Sequence, residues 1–337
     1  MRIVIVSDAW YPQVNGVVRT LTALGGELEA AGVEVRMVTP ASFRTLPCPT
    51  YPEIRLSLFP RRRVARMIEA ARPCAIHIAT EGPLGWAARA YCRSRRLPFT
   101  TAYHTRFPEY VRARFRIPLS LSYGVVRRFH GSASTVMVAT QSIEDDLRRR
   151  GFDGIRRWTR GVDTALFRPG GEKVYDLPRP IFLYVGRLAV EKNVEAFLAL
   201  DLPGSKVAVG DGPQAAQLRQ RYPDVLFPGA KQGAELAAHY ADADVFVFPS
   251  RTDTFGLVLL EAMACGLPVA AFPVSGPLDV IGDSAAGCLN QDLRQACLGA
   301  MSLSPAVCRS FAETFSWQAS ARQFLDNLAP FGTSAWA

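Results

Sequence analysis

Two acidic residues, Asp253 and Glu261, lie eight residues apart with a glycine-containing turn between them. The apolar segment before them, residues 244–250, ends in a Pro-Ser pair and predicts a buried parallel strand. Two carboxylates with this spacing can bind different parts of a nucleotide sugar, since one can bind hydroxyls of the sugar and the other can bind the ribose. The alternative from these residues alone is that Asp253 caps a helix and that Glu261 is a solvated acid on its surface.

A helix is predicted directly after the turn, because the apolar residues that follow Gly256 repeat with helical spacing. The amides of Phe255, Gly256, Leu257 and the residue after them would lack acceptors within that helix. Amides at a helix N-terminus are a natural site for an anion. A diphosphate could therefore lie over these amides, between Asp253 and Glu261.

Arg187 and Lys192 lie five residues apart, just past a predicted strand at 181–185. Arginine binds a diphosphate through its planar fork and lysine binds it as a point charge, so the pair can neutralise a diphosphate that leaves. Taken by itself, an Arg/Lys pair on a surface is usually solvated.

Short apolar runs alternate with helical patterns in both halves of the chain. Strands are predicted at 3–6, 33–38, 75–78, 99–102 and 135–138, with helices at 17–31, 85–95 and 143–149, and then strands at 181–185, 206–209, 225–227, 245–248 and 269–272. This alternation predicts a doubly wound α/β fold in each half. Pro169, Gly170 and Gly171 break regular structure and predict the join between the halves.

Residues 250–266 resemble the E-x7-E region of the retaining glycosyltransferases of family four, with Asp253 where many members carry Glu. Residues 185–193 are similar to the G-R-x-x-x-E-K pattern of that family, and further similarities extend over residues 1–330. The resemblance implies the GT-B fold, in which two Rossmann-like domains face a cleft. It implies an acceptor-side domain at 1–168, a donor domain at 172–310, and a terminal helix at 311–330 that crosses back to the first domain.

The resemblance also implies catalytic roles. His104, within an H-T-x-F pattern, would contact the transferred sugar, while Arg187 and Lys192 would stabilise the leaving diphosphate. A lone histidine is otherwise more often structural. No D-x-D pair suited to a metal is present, so no metal and no cofactor besides the nucleotide-sugar substrate are expected.

Donor-binding residues follow in the same way. The loop before Gly16 is similar to the first donor-facing loop of the family, although a glycine there can also simply permit a tight turn. Asp211 would lie in a turn at the mouth of the donor site, with a purely structural turn as an equal alternative. Lys231 would lie near the nucleotide base, and Asp253 and Glu261 would bind the sugar and the ribose.

Length and composition are compatible with such an enzyme. A chain of 337 residues with 49% hydrophobic residues can bury two cores. Its first residues predict a strand rather than a signal peptide, and no apolar stretch approaches the roughly 18 residues of a membrane span. Seven cysteines without C-x-x-C spacing favour reduced thiols over disulfides or a zinc site. The expected location is the cytoplasm, at the inner face of the plasma membrane.

The positive charge is concentrated in the first half. Residues 1–170 contain 27 arginines, no lysine and 13 acids, whereas residues 171–337 contain 12 basic and 17 acidic residues. The arginines cluster at 61–66, 112–116, 127–128, 148–150 and 156–157, and aromatic residues are interleaved with them from Phe107 to Phe129. This mixture predicts contact with an anionic membrane surface, although solvated helix faces would explain part of it. Nucleic acid is not expected as a partner, because no nucleic-acid-binding motif accompanies the charge.

The sequence therefore predicts a retaining, metal-independent hexosyltransferase that acts on a lipid or glycolipid acceptor, with GDP-mannose as the leading donor. The alternative is an enzyme that uses a UDP-hexose or UDP-uronic acid with diacylglycerol or a soluble sugar. A nucleotide-sugar epimerase would need a further acid or base cluster in the first domain. A nucleotide-binding module without catalysis is harder to reconcile with the joint presence of Arg187, Lys192 and Glu261.

Overall fold

The computed structural model describes residues 1–13, 15–48, 51–332 and 336, and it describes residues 51–53, 113 and 114 by their backbone alone. The chain folds as two compact units. Unit 1 consists of Met1–Arg160 together with Trp317–Ala337, and unit 2 consists of Gly161–Ser316.

The described part of unit 1 contains two sheets. Its strands are β1 (Arg2–Val6), β2 (Glu34–Val38), β3 (Thr45–Cys48), β4 (Tyr51–Ser57), β5 (Ala75–Ile78), β6 (Thr100–Tyr103), β7 (Thr135–Val138) and β8 (Ile155–Arg157). The main sheet is parallel in the order β2-β1-β5-β6-β7-β8, while β3 and β4 form an antiparallel hairpin. The strand order reverses between β1 and β5, which makes the carboxyl ends of these two strands the switch point of the sheet.

The helices of unit 1 were only partly predicted. They are α1 (Gly16–Ala30), α2 (Arg61–Ala71), α3 (Pro83–Arg95), α4 (Phe107–Phe115), α5 (Leu119–His130) and α6 (Gln141–Arg149). The predictions for α1, α3 and α6 are confirmed to within two residues at each end. Helix α2 was not among the predicted helices, although Val64, Met67, Ile68 and Ala71 repeat with helical spacing.

Unit 2 is a second doubly wound domain. Its strands are β9 (Ile181–Val185), β10 (Ser205–Val209), β11 (Leu226–Gly229), β12 (Val245–Phe248), β13 (Val269–Ala271) and β14 (Gly287–Leu289). Its helices are α7 (Glu195–Leu198), α8 (Ala215–Arg221), α9 (Gly233–Ala241), α10 (Leu257–Ala264), α11 (Ser275–Val280), α12 (Leu293–Ala300) and α13 (Pro305–Ala312). The sheet order β11-β10-β9-β12-β13-β14 reverses between β9 and β12. The predicted α/β class is confirmed in both units.

The last helix, α14 (Trp317–Asp326), belongs to unit 1 and packs against α1. Phe324 of α14 is fully buried, and its ring lies 5.1 Å from the ring of Trp158. The indole Nε1 of Trp158 donates to Ser320 Oγ at 3.1 Å, and the amide of Thr159 donates to Gln323 Oε1 at 2.9 Å. The C-terminal segment therefore completes the core of unit 1.

The limits of the two units differ from the predicted domain bounds. Unit 1 ends at Arg160 rather than at residue 168, because residues 161–168 are bound to unit 2. Arg309 of α13 donates to the carbonyl oxygens of Phe167 at 2.7 Å and Thr164 at 3.0 Å. The terminal helix predicted at 311–330 is likewise interrupted, since α13 packs against α10 in unit 2 and only the chain from Trp317 returns to unit 1. Among the described residues, no helix is long and apolar enough to span a membrane.

Candidate active site

The switch point of unit 2 lies between β9 and β12, and the loops that leave these strands carry five of the predicted site residues. In doubly wound sheets ligands bind outside the carboxyl ends of the strands at such a point. The loop after β9 is tied to the loop after β12 by two hydrogen bonds. Asn193 Nδ2 donates to the Pro249 carbonyl at 3.0 Å, and Thr252 Oγ1 donates to the Glu191 carbonyl at 3.1 Å. The two loops thus form one connected surface.

Lys192 and Asp253 form an ion pair between these two loops. Their side chains are 25% and 15% exposed, so the pair is partly shielded from water. The second carboxylate oxygen of Asp253, Oδ2, is buried and has no hydrogen-bond partner within the described part of the chain. Arg187 begins the same loop, and its carbonyl accepts a hydrogen bond from the Tyr184 hydroxyl at 2.8 Å. The structure therefore places Arg187, Lys192 and Asp253 at one sheet edge.

Helix α10 begins next to this pair, and its cap residue is Gly256. Gly256 has φ 86°, in the left-handed region, and a Cβ there would lie 3.1 Å from Phe248 Cζ. A larger residue would therefore be strained and crowded. Because glycine has no side chain, the cap residue accepts no hydrogen bond from the first amides of the helix, including that of Leu257. The suggestion that Asp253 caps the helix is wrong, while an anion site at these amides stays a prediction.

Glu261 lies in the second turn of α10 and is 6% exposed. Its Oε2 accepts a hydrogen bond from the Tyr240 hydroxyl of α9 at 3.1 Å. The alternative of a solvated helix acid is therefore wrong. A buried carboxylate needs hydrogen-bond donors. No local pattern indicates that Tyr240 supplies one, since Tyr240 lies 21 residues away in a different helix.

The other predicted residues of unit 2 lie on neighbouring strand ends. Asp211 follows β10 and is exposed, and its Oδ1 accepts a hydrogen bond from the Gly212 amide at 2.7 Å. Its carbonyl accepts from the Leu188 amide at 2.9 Å, which fits the structural alternative for this turn. Lys231 follows β11 and forms an ion pair with Glu235. Contact of Asp211 or Lys231 with a donor stays a prediction.

Asp8 occupies the switch point of unit 1, at the carboxyl end of β1. Its Oδ1 accepts from the Leu84 amide at 2.8 Å, and its Oδ2 accepts from the Gly85 amide at 3.1 Å and from Thr80 Oγ1 at 3.0 Å. Burial raises the pKa of Asp8 to about 6, against the effect of the two amides. Asp8 therefore caps α3 from outside the helix, a role that no local pattern indicates. Both oxygens of Asp8 are thus engaged within unit 1.

The loop before Gly16 is also organised by a cap. Asn15 Oδ1 accepts hydrogen bonds from the Val17 and Val18 amides, each at 3.0 Å. These two amides at the start of α1 are thus engaged within the protein. The approach of a phosphate to Gly16 stays a prediction.

His104 lies at the carboxyl end of β6 in unit 1. It is distant in sequence from the predicted site residues of unit 2. Its Nδ1 is 3.3 Å from Nη2 of Arg160, and its ring packs edge-on against Trp158. An arginine can only donate, so Nδ1 accepts and the imidazole proton lies on Nε2. Burial and the charge of Arg160 hold the pKa of His104 well below its ordinary value. His104 is therefore a neutral imidazole at neutral pH.

Among the residues that the structure describes, no three His, Cys, Asp or Glu side chains form a group that could hold a metal ion.

Comparison with known proteins identifies relatives for both units. Residues 14–166 match the family model Glycosyltransferase Family 4, and residues 179–302 match the model Glycosyl transferases group 1. A GDP-mannose-dependent alpha-mannosyltransferase of Corynebacterium glutamicum is 31% identical over 318 residues, which cover 86% of this chain and 76% of that protein.

Two further relatives and a solved structure extend this comparison. Sulfoquinovosyl transferase SQD2 of Arabidopsis thaliana is 33% identical over 265 residues, which cover 72% of this chain and 51% of that protein. An alpha-monoglucosyldiacylglycerol synthase of Acholeplasma laidlawii is 27% identical over 80% of this chain and 79% of its own length. Sucrose-phosphate synthase from Thermosynechococcus elongatus superposes with a TM-score of 0.76 at 25% identity, over 96% of this chain and 97% of that one.

Proposed function

Because the chain belongs to glycosyltransferase family 4 and has the GT-B fold, we propose that this glycosyltransferase is a retaining hexosyltransferase that acts on a lipid acceptor. The leading donor is GDP-mannose, and the enzyme works as a peripheral protein at the cytoplasmic face of the membrane. The alternative uses a UDP-hexose or UDP-uronic acid, with diacylglycerol or a soluble sugar as the acceptor.

One observation carries the donor half of this proposal. Lys192 and Asp253 are paired at the switch point of unit 2, beside the glycine-capped N-terminus of α10, and Glu261 is buried one turn further along that helix. A diphosphate over the α10 amides would bring its charge next to Lys192 and Arg187. Asp253 would then bind sugar hydroxyls, and Glu261 would bind the ribose. The arrangement supports a nucleotide sugar as the donor without selecting its base.

The proposed reaction needs electrostatic stabilisation above all. The bond from the anomeric carbon to the diphosphate oxygen breaks, and an acceptor oxygen bonds to that carbon on the same face, which gives retention. The acceptor proton passes to the leaving diphosphate. Arg187, Lys192 and the first amides of α10 stabilise the negative charge that develops on the diphosphate. No step of this scheme requires a metal ion.

The lipid half of the proposal is supported by the surface of α4 and α5, which pack against each other in unit 1. Large apolar side chains are exposed there: the exposed fraction is 61% for Phe115 and 64% for Leu121. Phe107, Ile117 and Val125 are exposed as well. The exposed arginines of the same segment are Arg112, Arg116, Arg127 and Arg128, while the side chain of Arg114 lies outside the described part. Exposed apolar groups among cations are suited to an anionic bilayer surface. We name this set the α4–α5 surface.

Two details of the predicted membrane contact need correction. Tyr123 and Phe129 are buried, so the aromatic residues of α5 are not available to enter a bilayer. The arginines at 148–157 are largely neutralised within unit 1, since Arg148 pairs with Glu144 at 2.7 Å and Arg150 with Asp146 at 3.2 Å. The proposed membrane contact therefore falls to the α4–α5 surface and to the exposed arginines at the start of α2.

The relatives support GDP-mannose as the leading donor and also motivate the alternative. The mannosyltransferase of Corynebacterium glutamicum is matched over more of its length than the sulfoquinovosyl transferase. The glucosyldiacylglycerol synthase supports diacylglycerol as an alternative acceptor.

Hydrolysis of sugar nucleotides in the absence of acceptor tests the donor. GDP-mannose, UDP-glucose, UDP-galactose and UDP-glucuronic acid would be compared in one panel, with release of the nucleoside diphosphate as the readout. We expect GDP-mannose to be hydrolysed fastest. A preference for a UDP-sugar would select the alternative, and hydrolysis of none of them would refute the proposed function.

A further inference from the structure

Glu81 lies at the carboxyl end of β5, one of the two strands that form the switch point of unit 1. Its neighbours fix its main chain. Thr80 Oγ1 donates to Asp8 and accepts from the Asp8 amide at 2.7 Å. A Cβ on Gly82 would lie 2.4 Å from Asp8 Cγ, so only glycine allows the chain to pass so close. The main chain on either side of Glu81, at Thr80 and at Gly82, is therefore packed against Asp8.

The side chain of Glu81 is held as well. Its Oε1 lies 3.1 Å from Nε2 of His130, whose Nδ1 lies 2.8 Å from Thr101 Oγ1. An ionised carboxylate has no proton to donate, so the proton in this bond belongs to His130. His130 is fully buried, whereas the Glu81 side chain is 26% exposed. A buried histidine thus orients a carboxylate that still reaches the surface.

The two acids of this switch point have different environments. Both oxygens of Asp8 are engaged by the start of α3 and by Thr80, and Asp8 is 9% exposed. The N-terminus of α3 is in this way occupied by a carboxylate of the protein itself, which leaves no attraction there for a phosphate. Of Asp8 and Glu81, Glu81 is the acid with surface that a ligand can reach.

We propose that Glu81 binds a hydroxyl group of the acceptor, and that the acceptor headgroup at this edge is a neutral polyol such as a sugar or glycerol. A carboxylate accepts hydrogen bonds from hydroxyls and repels phosphate, and the occupied N-terminus of α3 acts in the same direction. His130 and Thr101 are positioning residues for this carboxylate. The inference rests on the proposed function, because it assigns the acceptor to unit 1.

The test separates transfer from donor hydrolysis. The full chain would be assayed with GDP-mannose and the UDP-sugars, first without acceptor and then with two neutral acceptors, dioleoylglycerol in vesicles and octyl α-mannoside. Glu81→Gln keeps an oxygen that can accept from His130, so the fold should be retained. Thr101→Val removes only the hydroxyl that faces His130. Glu29→Gln, on the exposed surface of α1, is the matched control.

We expect Glu81→Gln to lower kcat/KM for the neutral acceptor about ten- to hundredfold, on the scale of one charge-assisted hydrogen bond. Donor hydrolysis and the thermal midpoint should stay at the wild-type values. Thr101→Val should give a smaller loss of the same acceptor-specific kind, and Glu29→Gln should give none.

Equal losses of hydrolysis and transfer in Glu81→Gln, or no loss of either, would overturn the inference. A wild-type chain that hydrolyses a donor but transfers to neither neutral acceptor would overturn it too, while leaving the donor half of the proposed function intact. Absence of hydrolysis with every sugar nucleotide would instead refute the proposed function, and the inference with it.

Discussion

Replacement of Glu261 by alanine should weaken the binding of nucleoside diphosphates. Glu261 is buried in α10 and accepts from the Tyr240 hydroxyl at 3.1 Å, and a carboxylate can accept hydrogen bonds from several donors, a ribose hydroxyl among them. A charge-assisted hydrogen bond contributes about 1.5–3 kcal/mol, and about 1.4 kcal/mol corresponds to a tenfold change in affinity. Each ribose hydrogen bond lost should therefore weaken GDP binding about ten- to hundredfold.

The ribose contact itself can be isolated by titration calorimetry with GDP and with 2′,3′-dideoxy-GDP. The wild-type chain should discriminate between the two ligands, and Glu261→Ala should lose most of that discrimination. Glu172→Ala, at an exposed position in unit 2, serves as the matched control. The substitution also leaves the buried Tyr240 hydroxyl without this acceptor, which should destabilise the fold by about 1–3 kcal/mol, so thermal unfolding must be followed in parallel. A folded Glu261→Ala variant that binds GDP and UDP with wild-type affinity would refute the ribose assignment.

Further predictions concern charge, metal and membrane. Arg187→Met or Lys192→Met should lower turnover by about a hundredfold or more, as expected for removal of one preorganised electrostatic donor, whereas the exposed Lys173→Met should not. EDTA should have no effect, and activity that EDTA abolishes and Mg²⁺ or Mn²⁺ restores would contradict the metal-free scheme. Co-sedimentation with anionic vesicles should be lost as the salt concentration rises, because the electrostatic attraction acts within a Debye length and salt shortens that length. Leu121→Ser should weaken vesicle binding more than Leu278→Ser, its exposed counterpart in unit 2, and equal binding to neutral and anionic vesicles would remove the membrane proposal.

Much of the fold could be predicted because parallel strands buried on both faces are continuous apolar runs. All four residues of β5, β6 and β12 are buried, and these strands were predicted within one residue. Short edge strands and surface helices were missed. β8 has a single buried residue, Ile155, and shows no period. The apolar residues of α2 do repeat with helical spacing, but this segment was not among the predicted helices.

The domain boundary illustrates a different limit. Pro169, Gly170 and Gly171 mark where regular structure stops, and the chain has no strand or helix there. The unit nevertheless ends at Arg160, because hydrogen bonds from Arg309 bind the preceding segment to unit 2. Local breakers predict the end of an element, but contacts with distant residues determine to which unit a segment belongs.

The sequence by itself determined the alternation of strands and helices, the loops that follow the strands, and the residue types available in those loops. It could do so because periodicity and turn chemistry depend on neighbouring residues. Only the tertiary structure decided which side chains meet. The ion pair of Lys192 with Asp253 joins residues 61 apart, and the cap that Asp8 provides for α3 joins residues 76 apart. Both contacts depend on which strands become neighbours at a switch point, and strand order is set by the packing of the whole sheet rather than by any local pattern.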